Sequence, residues 1–138
     1  MIKIALATAI SAPIVLWTLA VNASEVTIRV ENVRTDRGFV FASICRSEEF
    51  LKTRCLHSSR VEAKPPAVSI NFPDVRAGSY AIQVFHDENG DEKLNTNSMG
   101  FPTEGYGFSN NARQPRFQDA EIDVEETRAA FGIRLRYP

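Results

Sequence analysis

Alternation with a period of two runs through most of this chain, and it restricts the fold more than any other feature. In EVTIRVENV, Val26, Ile28 and Val30 alternate with Thr27, Arg29 and Glu31. Successive side chains of a strand point to opposite faces, so this segment reads as a strand with one dry and one wet side. AVSINF repeats the pattern with Val68, Ile70 and Phe72, and YAIQVFH repeats it with Tyr80, Ile82 and Val84, His86 falling on the same parity. In AAFGIRLRY, Phe131, Ile133, Leu135 and Tyr137 face one way while Gly132, Arg134 and Arg136 face the other. FVFASIC, residues 39–45, is apolar on both parities and so reads as a central strand.

Turn residues punctuate these runs. RTDRG leads into FVFASIC and predicts a hairpin with the first strand. RVEAK is a weaker strand stopped by Pro65-Pro66, PDVRAGSY is a turn, and AEIDV with AAFGIRLRY predicts a last hairpin across EET. SEEFLKT is the one short helical candidate, with Ser47 as cap and Glu48 and Glu49 at the positive end of the helix dipole. About seven short strands with regularly spaced turns predict an all-β, antiparallel Greek-key sandwich.

The N-terminal segment has a different character. Lys3 precedes an apolar run from Ile4 to Ala20, followed by Val21-Asn22-Ala23 with small or compact residues at the −3 and −1 positions of a cut before Ser24. This is the pattern of a secretory signal peptide, residues 1–23, removed after Ala23 to leave one domain at 24–138. The competing reading is a transmembrane anchor, for which the run is short and Pro13 ill placed. Cleavage would leave no membrane span. It would also place the protein in the periplasm or outside the cell, with Ser24 rather than a lipidated cysteine at its N-terminus. There Cys45 and Cys55 can form a disulfide, although two free thiols remain the alternative. On the chain-entropy model such a bridge contributes roughly 2–3 kcal/mol.

The chain carries 16 Lys and Arg against 17 Asp and Glu, and loss of Lys3 would make the remainder more acidic still. No broad basic field exists to hold nucleic acid, which is excluded as a partner class. No phosphate loop, nicotinamide fingerprint or GxSxG elbow is present, and Ser109 stands in GFSNN.

The periodicity fails from Asp87 to Gln118, which holds four of the seven glycines and the aromatics Phe101, Tyr106, Phe108 and Phe117. A loop this long in a small domain is usually functional, and its aromatics argue for an ordered one folded over an end of the sandwich. Its first part, HDENGDEKLNTN, sets oxygens at alternate positions: Asp87, Asn89, Asp91 and Asn95, with Lys93 offering a backbone carbonyl. These match positions 1, 3, 5, 9 and 7 of a calcium loop. Glu92 stands where that loop has glycine, and Ser98 where it has a bidentate glutamate. Two carboxylates make a weak site unless Glu92, Glu104 or Asp119 adds a third. The competing reading is a polar hairpin turn, since Asn89-Gly90 is a type I′ signal.

The second part, GFPTEGYGFSNNAR, offers Tyr106 and Phe108 as an apolar platform and Asn110, Asn111 and Arg113 as polar contacts for a ligand. Alternatively, the aromatics close the core and the asparagines satisfy loop backbone. His86 with Asp87 or Glu104 gives a further possibility, a small hydrolase-like enzyme. The reading favoured by the residues is a non-enzymatic binding or envelope-associated module, with an envelope protein or small ligand as partner; the loop at 87–97 offers a weak calcium site as its candidate cofactor position, or the polar turn instead.

FPDVRAGSYAIQVFHDENGDEKLNTNSMGFPTEGYGFSNNAR, with FQDA at 117–120 and the terminal IRLRY, resembles the secreted bacterial family catalogued as domain of unknown function 2141. The resemblance implies a signal peptide and no established reaction, with glycine in many members where Glu92 stands. Phe72, Asp74, Val75, Ala77, Gly78 and Tyr80 also form a unit similar to that of transthyretin-like and carboxypeptidase-regulatory sandwiches. It implies an immunoglobulin-like or prealbumin-like fold.

Overall fold

The computed structural model describes residues 13–15, 23–52 and 54–138. The expected leader lies outside the described residues, apart from 13–15 and Ala23 at the start of the first strand. The strands are β1 (Ala23–Glu31), β2 (Phe39–Cys45), β3 (His57–Glu62), β4 (Ala67–Arg76), β5 (Gly78–Asp87), β6 (Gly105–Phe108), β7 (Glu121–Val124) and β8 (Ala129–Arg134). One helical turn, α1 (Phe117–Ala120), precedes β7.

Two sheets form, a three-stranded one ordered β4-β1-β8 and a five-stranded one built on β3-β2-β5. In the first, β1 runs antiparallel to β4, with Ile28 opposite Ile70, and parallel to β8, with Ile28 opposite Phe131. The sandwich is therefore not wholly antiparallel. In the second, β6 and β7 share the far edge of β5, β6 along Gln83–His86 and β7 along Gly78–Ala81. The core lies between the sheets, where Val26, Ile28, Val30, Val40, Ile44, Ile82 and Ile133 are fully buried.

Both expected hairpins are absent. β1 and β2 belong to different sheets, as do β7 and β8. Parity identifies a dry face but not the sheet that supplies it, and in a sandwich both sheets turn a dry face inward. A short connection can therefore cross the core as readily as reverse within a sheet. Residues 47–52 of the expected helix form a single turn, with the Phe50 N–H on the Arg46 carbonyl at 3.0 Å. Its cap is Glu49, which accepts the Arg46 N–H at 2.9 Å, while the Ser47 hydroxyl turns to Glu48.

The β4–β5 unit owes its residues to packing. Phe72, Val75 and Tyr80 are buried, and the Tyr80 hydroxyl donates to the Arg76 carbonyl at 2.8 Å. On β6, a side chain at Gly105 would meet the Tyr137 ring at 2.4 Å. That close approach lets Tyr106 and Arg136 exchange backbone hydrogen bonds at 3.0 and 2.9 Å, tying the five-stranded sheet to the segment after β8.

A second apolar cluster covers one end of the outer face of the five-stranded sheet. Cys45 and Cys55 are joined there as a disulfide and pack with Phe50, Phe108, Ala112 and Ala120. Among the described residues no helix is long and apolar enough to cross a membrane.

Candidate functional site

At the end of β5 the strand's alternation separates two neighbouring residues. His86 shares the inward parity of Ile82 and Val84, while Asp87 points to the outer face. Both are fully buried. The Nε2 of His86 lies 2.8 Å from the Arg37 carbonyl, which can only accept, so Nε2 carries the proton. In the neutral ring Nδ1 accepts from the Tyr137 hydroxyl at 2.8 Å, and that hydroxyl accepts the Arg34 N–H at 3.2 Å. Burial pushes the Tyr137 phenol above its ordinary pKa, which keeps it a neutral donor. Both ring nitrogens of His86 are thus engaged, neither by a carboxylate. His86 makes no hydrogen bond to Asp87 or Glu104, the contact that a general base oriented by either would show.

Asp87 organises the loop that follows. Its Oδ1 accepts the N–H groups of Gly90 at 2.9 Å and Asp91 at 3.2 Å, and its Oδ2 accepts that of Glu92 at 2.8 Å. Glu92 takes φ 63°, the left-handed conformation that glycine supplies at this position of a calcium loop. Its side chain turns away and pairs with Arg60 at 2.6 Å. Asn89 is not among the residues with positive φ, as the first position of a type I′ turn requires, and β5 instead resumes pairing at Gly105, beyond the whole 88–104 excursion.

Glu104 enters from the other side of this excursion. It is 6% exposed, and its two oxygens accept the N–H groups of Glu88 and Asn95, each at 3.1 Å. Asp91, at the surface, accepts the Lys93 N–H at 3.0 Å and the Asn95 side-chain amide at 2.8 Å. The Asn95 hydrogen bond holds the Asp91 carboxyl below its usual pKa. Asn89 donates to the Asn95 side-chain oxygen at 3.1 Å. Asp87, Asp91 and Glu104 each place one carboxylate oxygen within 4.8 Å of the others. A point no more than about 2.8 Å from all three oxygens therefore exists, and a small inward shift brings them to the 2.3–2.6 Å of calcium ligands.

Glu104 was expected as a ligand contact, as a partner of His86 or as a conditional third carboxylate. It is the sole acid between Glu92 and Asp119, which was a usable signal. Asp119 itself pairs with Arg116 at 2.8 Å on α1. The sequence did not single out Glu88. Its side chain is 8% exposed and accepts from Arg34 at 3.0 Å and Thr35 at 2.8 Å, fastening the β1–β2 connection beside the site. Burial would raise its pKa, but these hydrogen bonds and the guanidinium charge outweigh it and hold the carboxyl below its usual range.

The expected platform at 100–113 is largely part of the scaffold. Phe108 is buried against Phe50, with ring centroids 5.6 Å apart, and Tyr106 is half-buried beside Phe108. Asn110 donates to the Glu121 carbonyl at 2.9 Å, and Asn111 accepts the Arg134 N–H at 2.9 Å. Both amides satisfy backbone, the alternative the residues had left open. Arg113 is exposed, apart from the carboxylate cluster.

A family model described as uncharacterized protein conserved in bacteria (DUF2141) matches residues 28–131. No curated protein and no solved structure matches the chain.

Proposed function

The chain belongs to the bacterial family DUF2141, and from that premise we propose that it is an exported, non-enzymatic binding module whose 87–104 loop is ordered by calcium. The observation that carries this reading is the convergence of Asp87, Asp91 and Glu104 to within 4.8 Å. Three carboxylates so close repel one another, and a hard divalent cation relieves that repulsion while accepting oxygen ligands in irregular geometry. The amide oxygens of Asn89 and Asn95 and the carbonyl of Lys93 stand in the same loop to complete the set. The leader pattern of residues 1–23 supports export, to the periplasm or beyond.

On this reading the protein presents a loop fixed by an ion on a rigid sheet edge, and its partner is an envelope protein or a small ligand. Thermal unfolding tests it. Calcium in tenfold excess over its dissociation constant adds about 1.4 kcal/mol, a rise in Tm of several degrees for a domain of this size. Asp91→Ala, at an exposed position, should leave the calcium-free Tm nearly unchanged and abolish the rise. No shift at 10 mM calcium refutes the metal assignment.

A further inference from the structure

The middle of the outer face of the five-stranded sheet forms a groove of about 770 Å³, within the range of small-molecule sites. The outer face of a sandwich sheet is ordinarily polar, yet here Phe41, Phe85 and Tyr106 line the floor, half-buried. Phe41 and Phe85 are register partners whose rings stack at 4.8 Å. The loop after β2 closes one end with Leu51, and the loop after β5 closes the other with Leu94.

Two features narrow the occupant. Most polar atoms of the floor are already engaged: Ser43 and Ser58 bond each other at 2.9 Å, and the Gln83 side-chain oxygen accepts the Leu51 N–H at 3.0 Å. Such a floor suits an apolar body better than a hydroxyl-rich sugar. The charged lining is Lys52, Arg54, Arg60 and Lys93 against one acid, Glu92, which Arg60 already pairs. Lys52, Arg54 and Lys93 make no ion pair among the described residues. This local positive excess stands on a chain of formal net charge −1.

We propose that this groove binds a small amphipathic anion, an alkyl chain carrying one carboxylate or phosphate. The chain lies over Phe41, Phe85 and Tyr106, and the head group meets the cations of one end loop. The site does not require the calcium assignment, so its test is run in EDTA, which also prevents calcium soaps. The folded protein is titrated calorimetrically with decanoate, decyl phosphate and decyltrimethylammonium. One decanoate or decyl phosphate should bind per chain, the tighter of the two identifying the head group, and the cationic amphiphile should bind at least tenfold more weakly. Lys52→Glu or Lys93→Glu, whichever loop holds the head, should weaken binding about tenfold at unchanged Tm. Absence of saturable anion binding, equal binding of the cation, or indifference to both charge reversals overturns the proposal.

Discussion

A methyl group at residue 38 would lie 1.8 Å from the Asp87 carbonyl oxygen, on a backbone already at φ 70°. Gly38 is the point where the β1–β2 connection touches the chain just as it leaves β5 for the loop. Gly38→Ala must move backbone, not a flexible side-chain tip, and should cost on the order of 3 kcal/mol, measured by urea denaturation. Glu88, close by, makes stability depend on pH. Its folded pKa is depressed, so its contribution is present above the unfolded carboxyl pKa and is lost as pH falls through the folded value. Glu88→Gln should destabilise by about 1–3 kcal/mol at pH 7, and the gap from the parent should narrow as pH falls below the ordinary carboxylate range. A gap that stays constant to pH 3 would contradict the charge-based account.

Among the elements, most strands were legible, but β6, inside the 87–118 stretch expected as a loop, was not, and neither were the strands' partners. Val26, Ile28 and Val30, or Tyr80, Ile82 and Val84, declare a buried face because a period of two leaves no other reading. The same residues carry no mark of which sheet they join, which is why β1 and β8 run parallel where hairpins were expected. The 88–104 segment shows no period because side chains bond much of its backbone, Asp87, Asn89, Asp91, Asn97 and Glu104 all accepting loop N–H groups, and its backbone pairing is confined to a short bridge at Thr96 and Pro102. The sequence suggested the first half of the metal set and left Glu104 conditional, since a contact closed by tertiary pairing of β6 has no fixed spacing. Glu92 looked like a misfit, yet its backbone adopts the turn that glycine would provide. Glu92→Gly should therefore keep the calcium response and change stability by less than about 1 kcal/mol, relief of left-handed strain offsetting loss of an exposed ion pair. Glu92→Val, β-branched at positive φ, should be clearly less stable than either. Loss of the calcium response in Glu92→Gly would make its carboxylate a ligand and contradict the assigned set.

At the scale of the molecule, one sheet face is divided along its length. The disulfide cluster covers one end, the carboxylate loop stands at the other, and the aromatic groove lies between, with Lys93 and Leu94 of that loop forming a wall. The inner face holds the fold together, while the chemistry is gathered outside. His86 illustrates the division: one residue from Asp87 in sequence, it is turned to the core and spends both nitrogens on Tyr137 and Arg37. The central claim, that Asp87, Asp91 and Glu104 share one calcium ion, is tested most directly by a crystal structure of the protein grown with calcium. The account predicts one ion 2.3–2.6 Å from an oxygen of each of these three carboxylates. Clear density for all three side chains with no ion between them would contradict it.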